Sequence, residues 1–506
     1  MTELRRDPAA ILEELRALRD ADAPTHGGHI LSYVYDSGVA ELDALAADAA
    51  RLVQPVNGLD PTTFTSVAAL ESAVVGFARD AFNGDDEVVG SVTSGGTESC
   101  LLAVKSARDA WRAARAGTPR TPRLVAPVTV HAAFQKAAAY FGLALDLVPV
   151  DPATGSAPVA AIEERLGDDV ALVVVSAPSY PFATMDPVAD VAAVTFPRGI
   201  WLHVDACIGG FALAFGPEHP GAAPWDFRVP GVTTLSADLH KYGYAPKGVS
   251  VLLTRGRDRQ RRQYFATTRW PGYPVVNPTM TGSKPAGPLA AAWAIIQALG
   301  ADGFAELAAR AALAADALRE TVEGIEGLRV VGEPAGPLLA VATDETLAPD
   351  RRVDPHHWAD AARALGWHLQ LQPGLTQDGA DPLPRTTHLT ITPVTADVLG
   401  ELRPALRAAA DEVRGVPAAD GRMLLAELAG GPEGAAALAT SASGLDSDGA
   451  ALLLASFGLL GGASALPDRM APVLALVEAL PPELSERLLV ELLARVVEPP
   501  ARGGSR

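Results

Sequence analysis

Lysine is scarce in this chain of 506 residues, where five stand against 36 arginines, and cysteine is scarcer still, with Cys100 and Cys207 alone. Two cysteines exclude a disulfide framework of the kind that staples small secreted domains. The opening "MTELRRDPAAILEELRALRD" lacks the basic start and apolar middle of a secretory leader, so a reducing cytoplasm is the expected location. Positive charge is in deficit too. A net charge of −19 and a pI near 5.0 oppose broad contact with phosphate backbones, so neither nucleic acid nor an anionic membrane surface is an expected partner. Small anions stay open, because a local site binds them against the overall field. Long uncharged apolar runs are also wanting. The stretch "GAALLLASFGLLGGASALP" is diluted by Gly, Ala and Ser and interrupted at Gly461-Gly462, which suits a buried helix or helical hairpin better than a membrane span.

What the chain does contain is a globular composition, 48% hydrophobic and 20% charged, long enough for two or three domains. Residues 1–60 hold a helix pattern, the Gly/His-rich loop "THGGHILSYVYDSG" and an Ala-rich helix. Over 61–300, helical patterns alternate with "RLVAPVTV", "ALVVVSAP", "GIWLHVDA", "VTTLSA" and "GVSVLLT", the mark of a mainly parallel sheet covered on both faces. Residues 301–415 pass from a long helix to "LRVVGEP", "PLLAVAT", "GWHLQLQP" and "THLTITP", a smaller α+β domain. Over 416–506 a low-complexity segment precedes two amphipathic helices split by Pro481-Pro482, a helical C-terminal extension suited to packing, self-association or docking of another protein.

The five lysines are Lys105, Lys136, Lys241, Lys247 and Lys284. A sequence this biased toward arginine has reason to keep lysine where guanidinium fails, and an amine that must lose its proton to form an imine is such a place. "SADLHKYGYAPKG" carries two of them, with His240 directly before Lys241. Three further stretches bear on this one. In "GSVTSGGTES" a strand end runs through Ser94, Gly95, Gly96 and Thr97 into a helix with Glu98 in its first turn; small residues admit an anion to the backbone N–H groups and the helix N-terminus attracts it, so the turn reads as a phosphate cradle. In "GIWLHVDACIGGF" alternation puts His203, Asp205 and Cys207 on one side, with Asp205 near the carboxyl end of its strand, where a pyridinium nitrogen would pair a buried acid. In "HAAFQKAA", His131 ends a strand and opens a helix, placed to stack on a flat ring. Taken singly, these are also what a plain loop, a helix cap and a core histidine look like; together, in this chain order, they describe a site for pyridoxal 5′-phosphate.

"TSGGTES", "HAAFQKAA", "LHVDACIGGF", "SADLHKYGYAPKG" and "TGSKPAG" closely resemble the group II pyridoxal-dependent decarboxylases, most of all the sphingosine-1-phosphate lyase branch, from about Leu31 to Pro393. The resemblance implies the fold type I architecture of pyridoxal-phosphate enzymes: a mainly parallel seven-stranded sheet in a large α/β domain, a smaller α+β domain, and here a helical tail. It implies that Lys241 binds the cofactor, with Lys247 a second lysine of the motif that does not. Asp205 matches the partner of the ring nitrogen, His131 the stacking residue and Cys207 the small residue on the opposite ring face. Gly95, Gly96, Thr97 and Ser236 match phosphate-region positions, and Gly282 and Ser283 a segment that reaches the neighbouring subunit's phosphate in a homodimer with shared active sites.

The resemblance further implies a carbon–carbon lyase acting on a small amine or amino acid, with His240 or the freed Lys241 moving protons. A carboxylate perpendicular to the ring leaves as CO2; a bond to a hydroxyl-bearing carbon held there breaks in a retro-aldol cleavage that releases an aldehyde. Where the phosphosphingolipid branch shows Asn-Pro-Leu-His, this chain has "NGLD", Asn57 to Asp60, and Lys284 replaces the usual arginine of "GSRPG". Both departures, with the expected lack of an N-terminal membrane anchor, incline the expectation toward decarboxylation of a soluble amino acid, with aldehyde release as the alternative and transamination or non-catalytic cofactor binding behind it. No metal is expected. His26, His29, Tyr33, Tyr35, Arg269 and Tyr273 are candidates for the mouth of the site.

Overall fold

The computed structural model describes residues 4–117, 119–217, 222–434, 445–460 and 467–499. Its large sheet has seven strands, β1 (Val88–Thr93), β2 (Arg123–Pro127), β3 (Ala144–Val148), β4 (Val170–Ser176), β5 (Trp201–Asp205), β6 (Val232–Ala237) and β7 (Ser250–Arg255), in the order β1-β7-β6-β5-β4-β2-β3. Only β7 runs against its neighbours. The central strands are covered on both faces, which is why β4 reads as a continuous apolar run and buries all seven of its residues. β3 was not apparent as a strand in the sequence pattern. Asp146 interrupts its apolar run at the sheet edge, where the Arg123 and Arg165 guanidinium groups pair with it.

A two-stranded hairpin, β8 (Phe265–Thr267) and β9 (Val275–Asn277), precedes the helix Gly287–Glu323. That helix turns at Gly300, whose φ of 57° favours glycine. Before the turn Leu289, Ala291 and Ile295 join the core of the large sheet; beyond it Ala314, Leu318 and Val322 join a second core. Although this helix is apolar and long enough to cross a membrane, those contacts make it the shared core helix of the two halves. The second core backs an antiparallel sheet of β10 (Leu328–Val330), β11 (Leu338–Thr343), β12 (Gln370–Gln372) and β13 (Thr386–Thr390), in the order β10-β11-β13-β12.

The tail has its own small core of Leu425, Leu454, Leu476, Leu480, Leu484 and Leu488. Its helices Ala471–Ala479 and Pro482–Val496 part at Pro481, as the proline pair predicts. Two acids tie it down. Asp360 accepts the N–H groups of Met470 and Ala471 at 2.8 and 2.9 Å, capping the first of these helices, and Glu478 takes the Gly374 N–H at 2.8 Å and the Arg385 guanidinium. The apolar stretch from Gly449 begins within the helix Ser447–Ser456, and its residues 461–466 lie outside the described residues.

Candidate active site

The carboxyl ends of β1, β2, β4, β5 and β6 converge on a cavity of about 350 Å³, where an open parallel sheet builds its ligand crevice. Ser94, Gly95, Gly96 and Thr97 line it after β1, His131 after β2, Asp205 and Cys207 at the end of β5, and His240 and Lys241 after β6. Motifs spread over more than a hundred residues are thus brought to one edge. The turn after β1 opens directly into the helix Gly96–Ala114, whose first N–H groups have no acceptor within the helix. A Cβ on Gly96 would stand 2.7 Å from both carboxylate oxygens of Asp238 and 2.9 Å from Cys207 Sγ, so only glycine lets the chain pass there.

Asp238 is the residue that sequence reasoning missed. It is 2% exposed; Lys241 Nζ lies 3.0 Å and His240 Nε2 3.5 Å from its Oδ2, while Ser250 Oγ donates to Oδ1 at 2.6 Å. Burial works against the Lys241 ammonium, yet Asp238, joined by Tyr35 and Cys207, outweighs it and raises the amine's pKa above the ordinary lysine value. On His240 burial prevails, lowering its pKa below the usual imidazole range against the pull of Asp238. The available signal was the spacing Asp-x-x-Lys at a buried strand end, which an acid occupies only when paired.

Asp205 is 6% exposed and accepts the Cys207 N–H at 3.1 Å. His131 caps the helix Ala132–Phe141, its Nδ1 accepting the Ala133 N–H at 3.2 Å, so the helix-end reading and the cavity-lining reading hold together. Ser236 is different. Fully buried, it does not line the cavity; its hydroxyl lies 3.1 Å from His203 Nε2 and 3.2 Å from Cys207 Sγ, because the register of β6 beside β5 turns it toward those side chains. Gly282 and Ser283 are exposed and stand apart from this chain's cavity. They follow Met280, whose N–H donates to Glu98 at 2.7 Å, while the other oxygen of Glu98 holds Ser94 N–H at 2.6 Å. Glu98 thus joins that segment to the cradle.

Among the mouth candidates, Tyr35 reaches the site. Burial raises its hydroxyl pKa, Lys241 opposing, and Lys247 Nζ lies 4.7 Å above its ring while donating to the His240 carbonyl at 3.2 Å. Tyr180, unmarked in the sequence, lines the cavity and stacks on His388 at 4.3 Å, its hydroxyl pushed up to about 12 by burial. Tyr33 donates to Gln370 at the second sheet. The others face elsewhere: His26 pairs with Asp43 at 3.2 Å, His29 stacks on Trp367 at 4.3 Å, and Arg269 and Tyr273 belong to the β8–β9 loop, where Tyr273 packs edge-on against Trp270.

The two departures at "NGLD" and Lys284 meet each other. Asn57 bridges to Pro285, Gly58 N–H donates to the Lys284 carbonyl at 2.8 Å, and Lys284 Nζ pairs with Glu71 at 3.0 Å. Asp60 accepts from Thr62 and Thr63, which holds its carboxyl down at about 2. Neither residue lines the cavity that contains Lys241; both line a second cavity of about 1070 Å³ beside β1.

Residues 37–341 match the pyridoxal-dependent decarboxylase conserved domain, and residues 424–495 match a domain described as the C-terminal putative HTH domain of pyridoxal-dependent enzymes. The chain is 35% identical over 362 residues to the sphingosine-1-phosphate lyase of Dictyostelium discoideum, covering 71% of this chain and 66% of that protein. It is 32% identical over 430 residues to that of Saccharomyces cerevisiae, covering 83% and 70%. The chain therefore spans about two thirds of the length of these relatives. A solved sphingosine-1-phosphate lyase of Burkholderia pseudomallei aligns over 82% of this chain and 93% of its own, with a TM-score of 0.74 and 31% identity. The glutamate decarboxylase of Lactobacillus brevis aligns over 82% and 94% with a TM-score of 0.71 at 20% identity, a likeness of fold.

Proposed function

Because the chain belongs to the pyridoxal-dependent decarboxylase family, we propose that it is a carbon–carbon lyase that cleaves a phosphorylated β-hydroxy amine and releases an aldehyde. The observation that carries this reading is the identity of 31% with a solved sphingosine-1-phosphate lyase over 93% of that chain, against 20% for a glutamate decarboxylase of nearly equal fold similarity. The structure also weakens the case for decarboxylating a soluble amino acid. That inclination rested in part on Asp60 and Lys284, and in this chain these serve a turn and an ion pair with Glu71, apart from the cavity that contains Lys241.

The family's cofactor is pyridoxal 5′-phosphate, and the residues present fit it. Gly96 leaves the space a Cβ would fill, His240 Nδ1 is buried without a hydrogen-bond partner, and Asp205 offers a buried carboxylate for a ring nitrogen. Lys241 would hold the cofactor, the 94–97 turn its phosphate, and His131 and Cys207 its two faces. When bound, it supplies a ring that takes up the electron pair of the breaking bond. Retro-aldol cleavage needs a base for the substrate hydroxyl, and His240, kept uncharged by burial with Nε2 turned to Asp238, is suited to accept that proton at the unpartnered Nδ1. The Lys241 ammonium, stabilised by Asp238, is suited to return one to the amine-bearing carbon. Tyr35 and Tyr180 stay protonated, so their hydroxyls are able to donate to a bound substrate. Burial and Lys241 both lower the Lys247 pKa, and a substrate phosphate beside that ammonium would offset both.

The test is to offer the protein phosphorylated β-hydroxy amines and a panel of amino acids, scoring aldehyde and CO2 separately. Aldehyde without CO2 from the phosphate supports the proposal; CO2 from an amino acid with no aldehyde from any phosphate returns the assignment to decarboxylation. Accumulation of the pyridoxamine form would point to transamination.

We also infer a homodimer with shared sites. The helix Pro8–Arg19 buries none of its residues and turns Ile11, Leu12, Leu15 and Leu18 outward along one face, which a second copy would cover. The exposed Gly282 and Ser283 are free to reach that copy's cradle.

A further inference from the structure

The chain's two cysteines, far apart in sequence, meet at the floor of the cavity. Cys100 lies in the second turn of the helix Gly96–Ala114 and Cys207 just past β5. Their Sγ atoms and an oxygen of Asp205 lie within 4.8 Å of one another, and the three residues are 1%, 8% and 6% exposed. Lys241 and His240 are both drawn to Asp238, and among the described residues no cation forms an ion pair with Asp205.

We propose that, in the cofactor-free protein, Cys100, Cys207 and Asp205 bind a thiophilic divalent cation of the zinc class, and that this ion and the cofactor exclude each other. Two thiolates with a carboxylate are a donor set that selects Zn²⁺ or Cd²⁺ over Mg²⁺ or Ca²⁺. A tetrahedral ion with bonds of about 2.0–2.3 Å holds its donors roughly 3.5–3.8 Å apart, so closing the present cluster asks about an ångström of side-chain movement. The fourth position opens on the cavity and takes water. Burial holds Cys100 as S–H, and the hydrogen bond with Cys100, reinforced by burial, does the same for Cys207. Binding therefore breaks two S–H bonds, forms two metal–sulfur bonds and sends two protons to solvent. Exclusion rests on the cofactor roles given to Asp205 and Cys207 above: one carboxylate cannot pair both an ion and a ring nitrogen.

The experiment titrates cofactor-free protein with Cd²⁺, following the thiolate-to-cadmium charge-transfer band and proton release, then competes with Zn²⁺ and with pyridoxal 5′-phosphate. One equivalent per chain, two protons released, and binding weakened more than about a hundredfold by Cys100→Ser or Cys207→Ser support the site. Should a variant fail to fold, the band and the proton count in the unaltered chain still decide. No thiolate band at one equivalent, or binding unchanged in either serine variant, overturns the proposal and leaves the cofactor reading standing if the cofactor loads normally. A full band that persists in cofactor-saturated protein overturns the exclusion. A chain that binds Cd²⁺ but never takes the cofactor keeps the metal site and removes the proposed function.

Discussion

Lys241 and Asp238 form an ion pair of 3.0 Å whose carboxylate is almost wholly shut from water. A buried anion of this kind stands only with partners, and it has three: the lysine, the imidazole of His240 and the Ser250 hydroxyl. Ser250 is in turn 3.2 Å from Ser99, and Ser99 2.7 Å from Thr93, so a line of hydroxyls runs behind the acid from β7 to β1. The pair thereby sits on the rigid part of the sheet.

Lys241→Ala should abolish the borohydride-stable bond between protein and cofactor, while Lys247→Ala keeps it, since Lys247 is engaged with the His240 carbonyl and the Tyr35 ring. Mass spectrometry of the reduced protein reads the outcome. The reverse pattern would show that the wrong lysine has been assigned.

Asp238→Asn removes the main group that keeps Lys241 charged, leaving burial opposed only by Tyr35 and Cys207 and so lowering its pKa. The pH at which Lys241 of cofactor-free protein reacts with pyridoxal, trapped by borohydride, should fall by about 1–3 units. An unchanged pH profile in a folded variant would deny Asp238 this role.

Two inactive chains should rescue each other if sites are shared. A Lys241→Ala chain paired with a chain altered at Gly282 and Ser283 leaves one of the two sites with every group intact, so mixed dimers should regain up to about half the activity per intact dimer. Verified heterodimers without recovery would rule out sharing.

Stability should decline on acidification from neutral pH. Burial lowers His203 to about 4 and His388 to about 3, so both stay neutral in the folded chain where an unfolded imidazole takes a proton. Their contribution is complete above about pH 6.5 and is lost as pH falls toward 4 and 3, on the order of 3 kcal/mol for His203. Urea midpoints at pH 7, 5.5 and 4.5 measure it, and midpoints that hold level across that range would contradict it.

Much of this protein was legible in contiguous residues. Five apolar runs became β2, β4, β5, β6 and β7, because strands buried on both faces must be apolar throughout, and four further stretches became the second sheet. The order cradle, His131, Asp205, Lys241 could be read because each group needs its own short chemical setting: glycines before a helix, an acid at a strand end, a lysine kept where arginine prevails. Tertiary structure alone decided what those groups meet. Asp238 became the partner of Lys241, Cys100 came to Cys207, Ser236 turned to His203 instead of the cavity, and "NGLD" met Lys284 away from it. These relations depend on strand register and on packing between segments far apart in the chain. Local pattern determines which face of an element is apolar; the distance between two side chains on different elements is set only when those faces close on a common core.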